Sequence, residues 1–203
     1  GAAKLLAPLA VFDVHGEIFA KLFAFLKIDL GFFSISKEFD ITPPITLVEF
    51  DIPFVRVPTL ATELAGGVLQ LNMGEFADLR LEGDDRDIAE QFIVVQTDAS
   101  HVEVTAFGFT QEYEVTSGII ALGGEGDDII DLSGITSAIT YDVEGGAGND
   151  QILLNAAALG AARIRGGTGD DTIASGAGHD IIFGEAGGDV IDAGAGDDLV
   201  FAD

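Results

Sequence analysis

The chain has 203 residues, 48% of them apolar, which suits one large or two small folded units and argues against a disordered polymer. Thirty-five acidic residues against nine Lys plus Arg give a net charge of -26, a surface that repels phosphate backbones and anionic membranes and attracts cations, so nucleic acid is a poor partner. The absence of cysteine excludes disulfides, thiolate zinc sites, iron-sulfur clusters and thiol nucleophiles.

The chain opens at Gly1 with no basic segment leading into an apolar one, so no signal peptide is read and an excised fragment is expected. Residues 18–33 are the most apolar stretch, but Lys21, Lys27 and Asp29 interrupt it. It falls short of the roughly 20 apolar residues of a spanning helix, and no membrane span is expected. Within it the even positions from Ile18 to Phe32 are all apolar, a period of two that favours strand, with a helix over 17–29 as the competing reading. Val48, Phe50, Ile52 and Phe54 alternate with Glu49 and Asp51, and Pro43, Pro44, Pro53 and Pro58 confine the neighbouring segments to edges, bends or turns. The Phe residues at 19, 23, 25, 32, 33 and 39 read as core, without an identifiable active site.

Composition changes at residue 80. Up to Arg80 there are six basic and ten acidic residues, ten of the fifteen Phe, all five prolines and six of the 27 glycines. Beyond it, three basic residues face 25 acids and 21 glycines, so the two parts carry -4 and -22. The expected organisation is all-β: a Phe-rich β domain over 1–80, transitional strands over 81–122 that include 102–107 and 119–122 and cap a solenoid, and a repeat segment over 123–203.

That last segment repeats with a nine-residue period. Six stretches align without gaps: 123–131 (GGEGDDIID), 145–153 (GGAGNDQIL), 166–174 (GGTGDDTIA), 175–183 (SGAGHDIIF), 184–192 (GEAGGDVID) and 193–201 (AGAGDDLVF). Position one is Gly123, Gly145, Gly166 or Gly184, and position two is Gly124, Gly146, Gly167, Gly176 or Gly194. Position four is always glycine: Gly126, Gly148, Gly169, Gly178, Gly187 and Gly196. Position six is always aspartate, namely Asp128, Asp150, Asp171, Asp180, Asp189 and Asp198, and position eight is Ile or Val.

This pattern resembles the RTX (repeats-in-toxin) family of hemolysin-type calcium-binding nonapeptide repeats over residues 123–203. The resemblance implies a parallel β-roll, a β-solenoid whose glycine turns hold Ca2+. The residues suit that chemistry. Glycines permit positive φ and leave carbonyl oxygens uncrowded, aspartate adds charge, and calcium accepts six to eight oxygens in irregular geometry, whereas magnesium should substitute poorly. Ile130, Ile152, Ile173, Ile182, Ile191 and Val200 at position eight are expected to stack inward as a ladder.

Spacing suggests two columns of turns. Starts at 166 and 184, and at 175 and 193, lie one coil of 18 residues apart, while 123, 145 and 166 are separated by 22 and 21. The first column is therefore 123, 145, 166 and 184, with 132–144 and 154–165 as coils whose opposite turn is a longer loop. Carried over from the family, calcium sits between successive turns of one column. That pairs Asp128 with Asp150, Asp150 with Asp171, Asp171 with Asp189 and Asp180 with Asp198, about four ions assisted by the motif glycines. Glu185 at position two, and Ser175 and Ala193 at position one, depart from glycine, so the second column and the last coil should bind more weakly or with a strained turn. Residues 81–91 look like a decayed repeat, with Asp87 at the expected apolar position.

No Gly-x-x-x-x-Gly-Lys, His-Glu-x-x-His or Gly-x-Ser-x-Gly occurs, and His15, His101 and His179 are scattered, so no enzyme is read within these residues. His179 and Asp197, both at position five, are expected to face solvent. The resemblance implies a calcium-binding structural module of a larger secreted or cell-surface bacterial protein, exported by type I secretion and folding on calcium binding outside the cell. Two alternatives stand beside it: the C-terminal folding module of a secreted protease or lipase, and an adhesion or assembly module that binds another copy or a surface polymer.

Overall fold

A computed structural model of the chain describes residues 17–19, 46–49, 57–81 and 86–202. It divides into two compact units, 1–55 and 56–203. The boundary expected at residue 80 therefore lies 25 residues earlier.

In the first unit, strands β1 (Glu17–Phe19) and β2 (Thr46–Glu49) pair antiparallel, with Glu17 opposite Glu49. The alternation over 20–33 and the apolar positions 50, 52 and 54 lie outside the described residues.

The second unit is all-β, a parallel β-roll closed at its N-terminal end by antiparallel strands. β3 (Ala61–Leu64) turns at Gly66 and Gly67, both at positive φ, into β4 (Val68–Leu71), and a 3-10 helix (Gly74–Arg80) follows. β5 (Gln91–Gln96), β6 (His101–Ala106) and β7 (Phe109–Glu114) then form an antiparallel meander. The coils proper are β8 (Gly118–Glu125) with β9 (Ile129–Gly134), β10 (Thr140–Ala147) with β11 (Gln151–Leu154), β12 (Ala162–Thr168) with β13 (Thr172–Ala174), and β14 (Ile181–Ala186) with β15 (Val190–Asp192). β16 (Leu199–Phe201) opens a further coil. Two seven-stranded sheets result, in the orders β16-β14-β12-β10-β8-β4-β3 and β15-β13-β11-β9-β5-β6-β7.

Strand alternation sends every second side chain between the sheets. In one sheet Phe92, Ile130, Ile152, Ile173 and Ile191 are in register from coil to coil, and the first four are no more than 1% exposed. In the other, Ala121, Val143, Ile164, Ile182 and Val200 do the same, buried as far as Ile182. The position-eight residues thus form parts of two ladders, because motifs 175 and 193 sit on the opposite edge of the roll. Each fully buried aliphatic side chain contributes about 1.5–3 kcal/mol by leaving water. The longer opposite turns, 135–139 and 155–161, tuck Ile135, Ile139 and Ala158 inward and are tied by Asn155 Nδ2 donating to the Ser133 carbonyl at 2.6 Å.

Residues 57–80 belong to this roll. Leu60, Leu69, Leu71 and Met73 are 0% exposed within its core, and β4 lies parallel to β8 with Leu69 opposite Ile119.

Candidate metal centre

The glycine turns of the first column take their shape from backbone that other residues adopt at a cost. Position-two Gly124, Gly146 and Gly167 have φ of 89°, 110° and 116°, and position-four Gly126, Gly148, Gly169 and Gly187 have φ of 111° to 150°. Coils also approach closely. A methyl group at Gly146 or Gly167 would strike the carbonyl of Gly124 or Gly146, one coil earlier. Glu185, where this column otherwise has glycine, is held at φ 70°, the strained turn expected there.

Each position-six aspartate divides its two oxygens between different tasks. Oδ1 accepts the amide of the position-six residue one coil earlier: Asp128 N to Asp150 at 2.8 Å, Asp150 N to Asp171 at 2.8 Å, Asp171 N to Asp189 at 3.0 Å. Oδ2 of Asp128, Asp150, Asp171 and Asp189 is buried with no hydrogen-bond partner. Each of these orphaned oxygens stands against the position-one glycine of its own motif, in the space a side chain would fill. A carbonyl of the next coil faces the same space: Gly145 O at Gly123, Gly166 O at Gly145, Gly184 O at Gly166 and Ala202 O at Gly184.

The electrostatic consequence is large. Burial pushes the Asp128 carboxyl up to about 8 and that of Asp150 up to about 6, and it also raises Asp171; the accepted amide opposes the rise and neighbouring carboxylates add to it. Buried anionic oxygen without a partner is costly, and hard carboxylate and carbonyl donors in a glycine cradle fit Ca2+. Among the described residues no three His, Cys, Asp or Glu side chains cluster as a ligand set. A cation here would depend on main-chain carbonyls for most of its shell.

The second column differs. Asp180 Oδ1 accepts the Ala162 amide at 2.7 Å, and its Oδ2 accepts a hydrogen bond from the Ser175 hydroxyl. Serine at position one thus fills the space that glycine leaves open in the first column. Asp198 Oδ1 accepts the Asp180 amide at 3.0 Å. Gly194 and Gly196 have positive φ of 75° and 138°, whereas Gly176 and Gly178 do not. The Tyr141 hydroxyl, buried without a partner, is pushed up to about 12 by burial and then by Asp180.

Position five carries a second ladder that runs the other way. Asn149 N donates to Asp127 Oδ1 at 2.7 Å, Asp170 N to Asn149 Oδ1 at 2.8 Å and Gly188 N to Asp170 Oδ1 at 2.8 Å. His179, expected merely to be solvated, accepts the Asp197 amide through Nδ1 at 3.0 Å, so its exposed ring still ties two coils.

The roll also starts one coil before the first recognised motif. Glu90 N donates to Asp128 Oδ1 at 2.7 Å, and the Glu90 carbonyl accepts Ile129 N just as that of Asp128 accepts Gln151 N. Glu90 therefore holds position six and Phe92 position eight, while Asp87 caps Glu125 N at 2.8 Å. A period of 18 to 22 misses this pair, since the excursion through β6 and β7 separates Glu90 from Asp128 by 38 residues.

A glycine-aspartate turn stacked in a parallel β-roll defines a class of calcium-binding repeat module. Residues 142–156 and 165–200 match the RTX calcium-binding nonapeptide repeat in four copies, so this part of the chain carries RTX repeats. The motif at 123–131 lies outside the matched stretches yet shares their register. Comparison with curated proteins and with solved structures returns no match to either.

Proposed function

We propose that this chain is a non-catalytic structural module of a larger secreted or cell-surface bacterial protein, and that Ca2+ binding and folding of its coils are one event. The observation that carries the reading is the column of buried, unpartnered Oδ2 atoms on Asp128, Asp150, Asp171 and Asp189, each facing a carbonyl of the next coil. Four such oxygens support about four ions. Asp128, Asp150, Asp171 and Asp189 would supply charge, and the carbonyls of Gly145, Gly166, Gly184 and Ala202 would complete each shell together with other turn carbonyls. The second column, through Asp180 and Asp198, would bind more weakly because Ser175 already occupies one carboxylate oxygen. Bound calcium would offset part of the charge of a segment with 25 acids against three bases, whose glycine-rich backbone is otherwise expensive to order. Extracellular modules of this chemistry bind at roughly 10⁻⁴ to 10⁻³ M, which would keep the coils unfolded in a calcium-poor cytosol and folded outside.

Calcium titration followed by circular dichroism and calorimetry tests the reading. A rise in β signal that saturates in the millimolar range, with magnesium far less effective, is expected. A β signal unaffected by chelator over residues 123–203 would refute coupled folding.

A further inference from the structure

Position six of the first coil, Glu90, has what the later aspartates lack. Its carboxylate is fully buried, ion-paired through Oε1 with the Arg80 guanidinium and bonded through Oε2 to the Gly74 amide at 2.9 Å. Arg80 is itself 1% exposed, donates from Nε to the Asn72 carbonyl at 2.8 Å and lies 4.8 Å over the Phe107 ring. Phe107 in turn packs edge-on against Phe92, the first rung of the core ladder. The column thus contains five position-six carboxylates on one edge, of which the first is met by a side-chain cation and the next four are not.

We propose that Arg80 serves the first coil as a built-in cation in the place calcium takes later, so that residues 57–122 fold without metal and present a finished edge on which the calcium-dependent coils assemble. The inference rests on the calcium reading above. Main-chain register supports it, since the Glu90 amide and carbonyl engage Asp128 and Ile129 as those of Asp128 engage Asp150 and Gln151. The core supports it too. Leu60, Leu69, Leu71, Phe92, Val94, Val102 and Val104 are all 0% exposed within or beside this first coil, a density that the glycine-rich coils beyond do not match. In a stack held together by neighbouring contacts, a preformed first unit removes the most costly step of assembly.

Hydrogen exchange of the whole chain, read by mass spectrometry in chelator and in millimolar calcium, tests this. In chelator, amides of β4, β5 and β6 should exchange at least about tenfold more slowly than those of β10 to β15, and calcium should bring the two regions close together. Arg80→Met leaves Glu90 buried and uncompensated. It should abolish the difference in chelator and raise the calcium midpoint for β10 to β13 by about threefold or more. The double variant Arg80→Met/Glu90→Leu, which removes both charges, should restore protection in chelator even if the single variant fails to fold. Wild-type residues 57–122 exchanging as fast as the repeats in chelator would overturn the proposal, as would an Arg80→Met chain indistinguishable from wild type. A calcium-independent β10 to β15 would overturn the calcium reading and the proposal with it, a result distinct from loss of protection in 57–122 alone.

Discussion

The amide of Asp150 donates to Oδ1 of Asp171, 21 residues on, and the same carboxylate leaves its Oδ2 buried without a partner. One oxygen holds adjacent coils together while the other is free for the cation proposed above. Replacing Asp171 with Asn preserves an acceptor for the Asp150 amide but removes charge at the centre of the column. Asp171→Asn should lower calcium affinity on the order of 10- to 100-fold, the loss typical even of groups one step removed from a metal. Asp198→Asn, at the far end of the second column, should cost less, and Asp197→Asn, on an exposed side chain, should do little. Calorimetric titration of the three variants checks the order; equal losses at Asp171 and Asp197 would mean that diffuse negative charge holds the metal.

Acidity should act in opposite directions with and without calcium. In the metal-free fold Asp128 and Asp150 are raised from 3.8 to about 8 and about 6, so the folded coils bind protons more tightly than the unfolded chain does. That stabilisation is complete below about pH 4 and is lost as pH rises through about 6 and then about 8. In chelator, acidification from pH 8 should therefore shift the coils from unfolded toward folded, read as a gain of β signal by circular dichroism, and Asp128→Asn should flatten the response. In calcium, protons compete with the metal, and the titration midpoint should move to higher concentration over the same interval. A chelator-state β signal that falls on acidification would contradict the buried, unpaired state of these carboxylates.

Glu185→Gly should stabilise the last full coil. Glu185 sits at φ 70°, where a side chain costs about 1–2 kcal/mol and glycine does not, although glycine gives back part of that through the unfolded chain. A net gain of about 0.5–1 kcal/mol is expected, read as a higher thermal midpoint in saturating calcium. Its absence would show that the exposed turn relaxes.

Ser175→Gly should turn the second column into a copy of the first. Removing the hydroxyl frees Oδ2 of Asp180 and restores glycine at position one. Titration should then show the weak second-column site tighten toward the affinity of the first column. An unchanged affinity with lowered stability would instead assign the Ser175–Asp180 bond a purely structural role.

The ladders of the core were legible because position eight recurs at the period of the coils, which places Ile130, Ile152, Ile173 and Ile191 on one inner face. The division into columns was legible from spacing alone. Glu90 and Phe92 were not, since an inserted hairpin destroys the period and glutamate replaces aspartate. Residues 57–80 were misplaced because the step in glycine and acid content falls after Arg80, while membership of the roll is decided by Leu69 and Leu71 facing its core. Ser175, His179 and the position-five residues were read as weakened or solvated positions. What they do depends on which amide stacks above them, a property of register that composition does not carry.

The two ladders at positions five and six run in opposite directions, one coil giving its amide forward and receiving the next coil's amide back. The rise from coil to coil is thereby set by hydrogen bonds at the roughly 4.8 Å spacing of paired strands, whatever the size of the ion held there. The turn edge acts as a ruler. A cation that prefers oxygens at about 2.3–2.6 Å can take the span as it stands, whereas one that demands about 2.0–2.1 Å would have to pull together backbone that is already fastened on both sides.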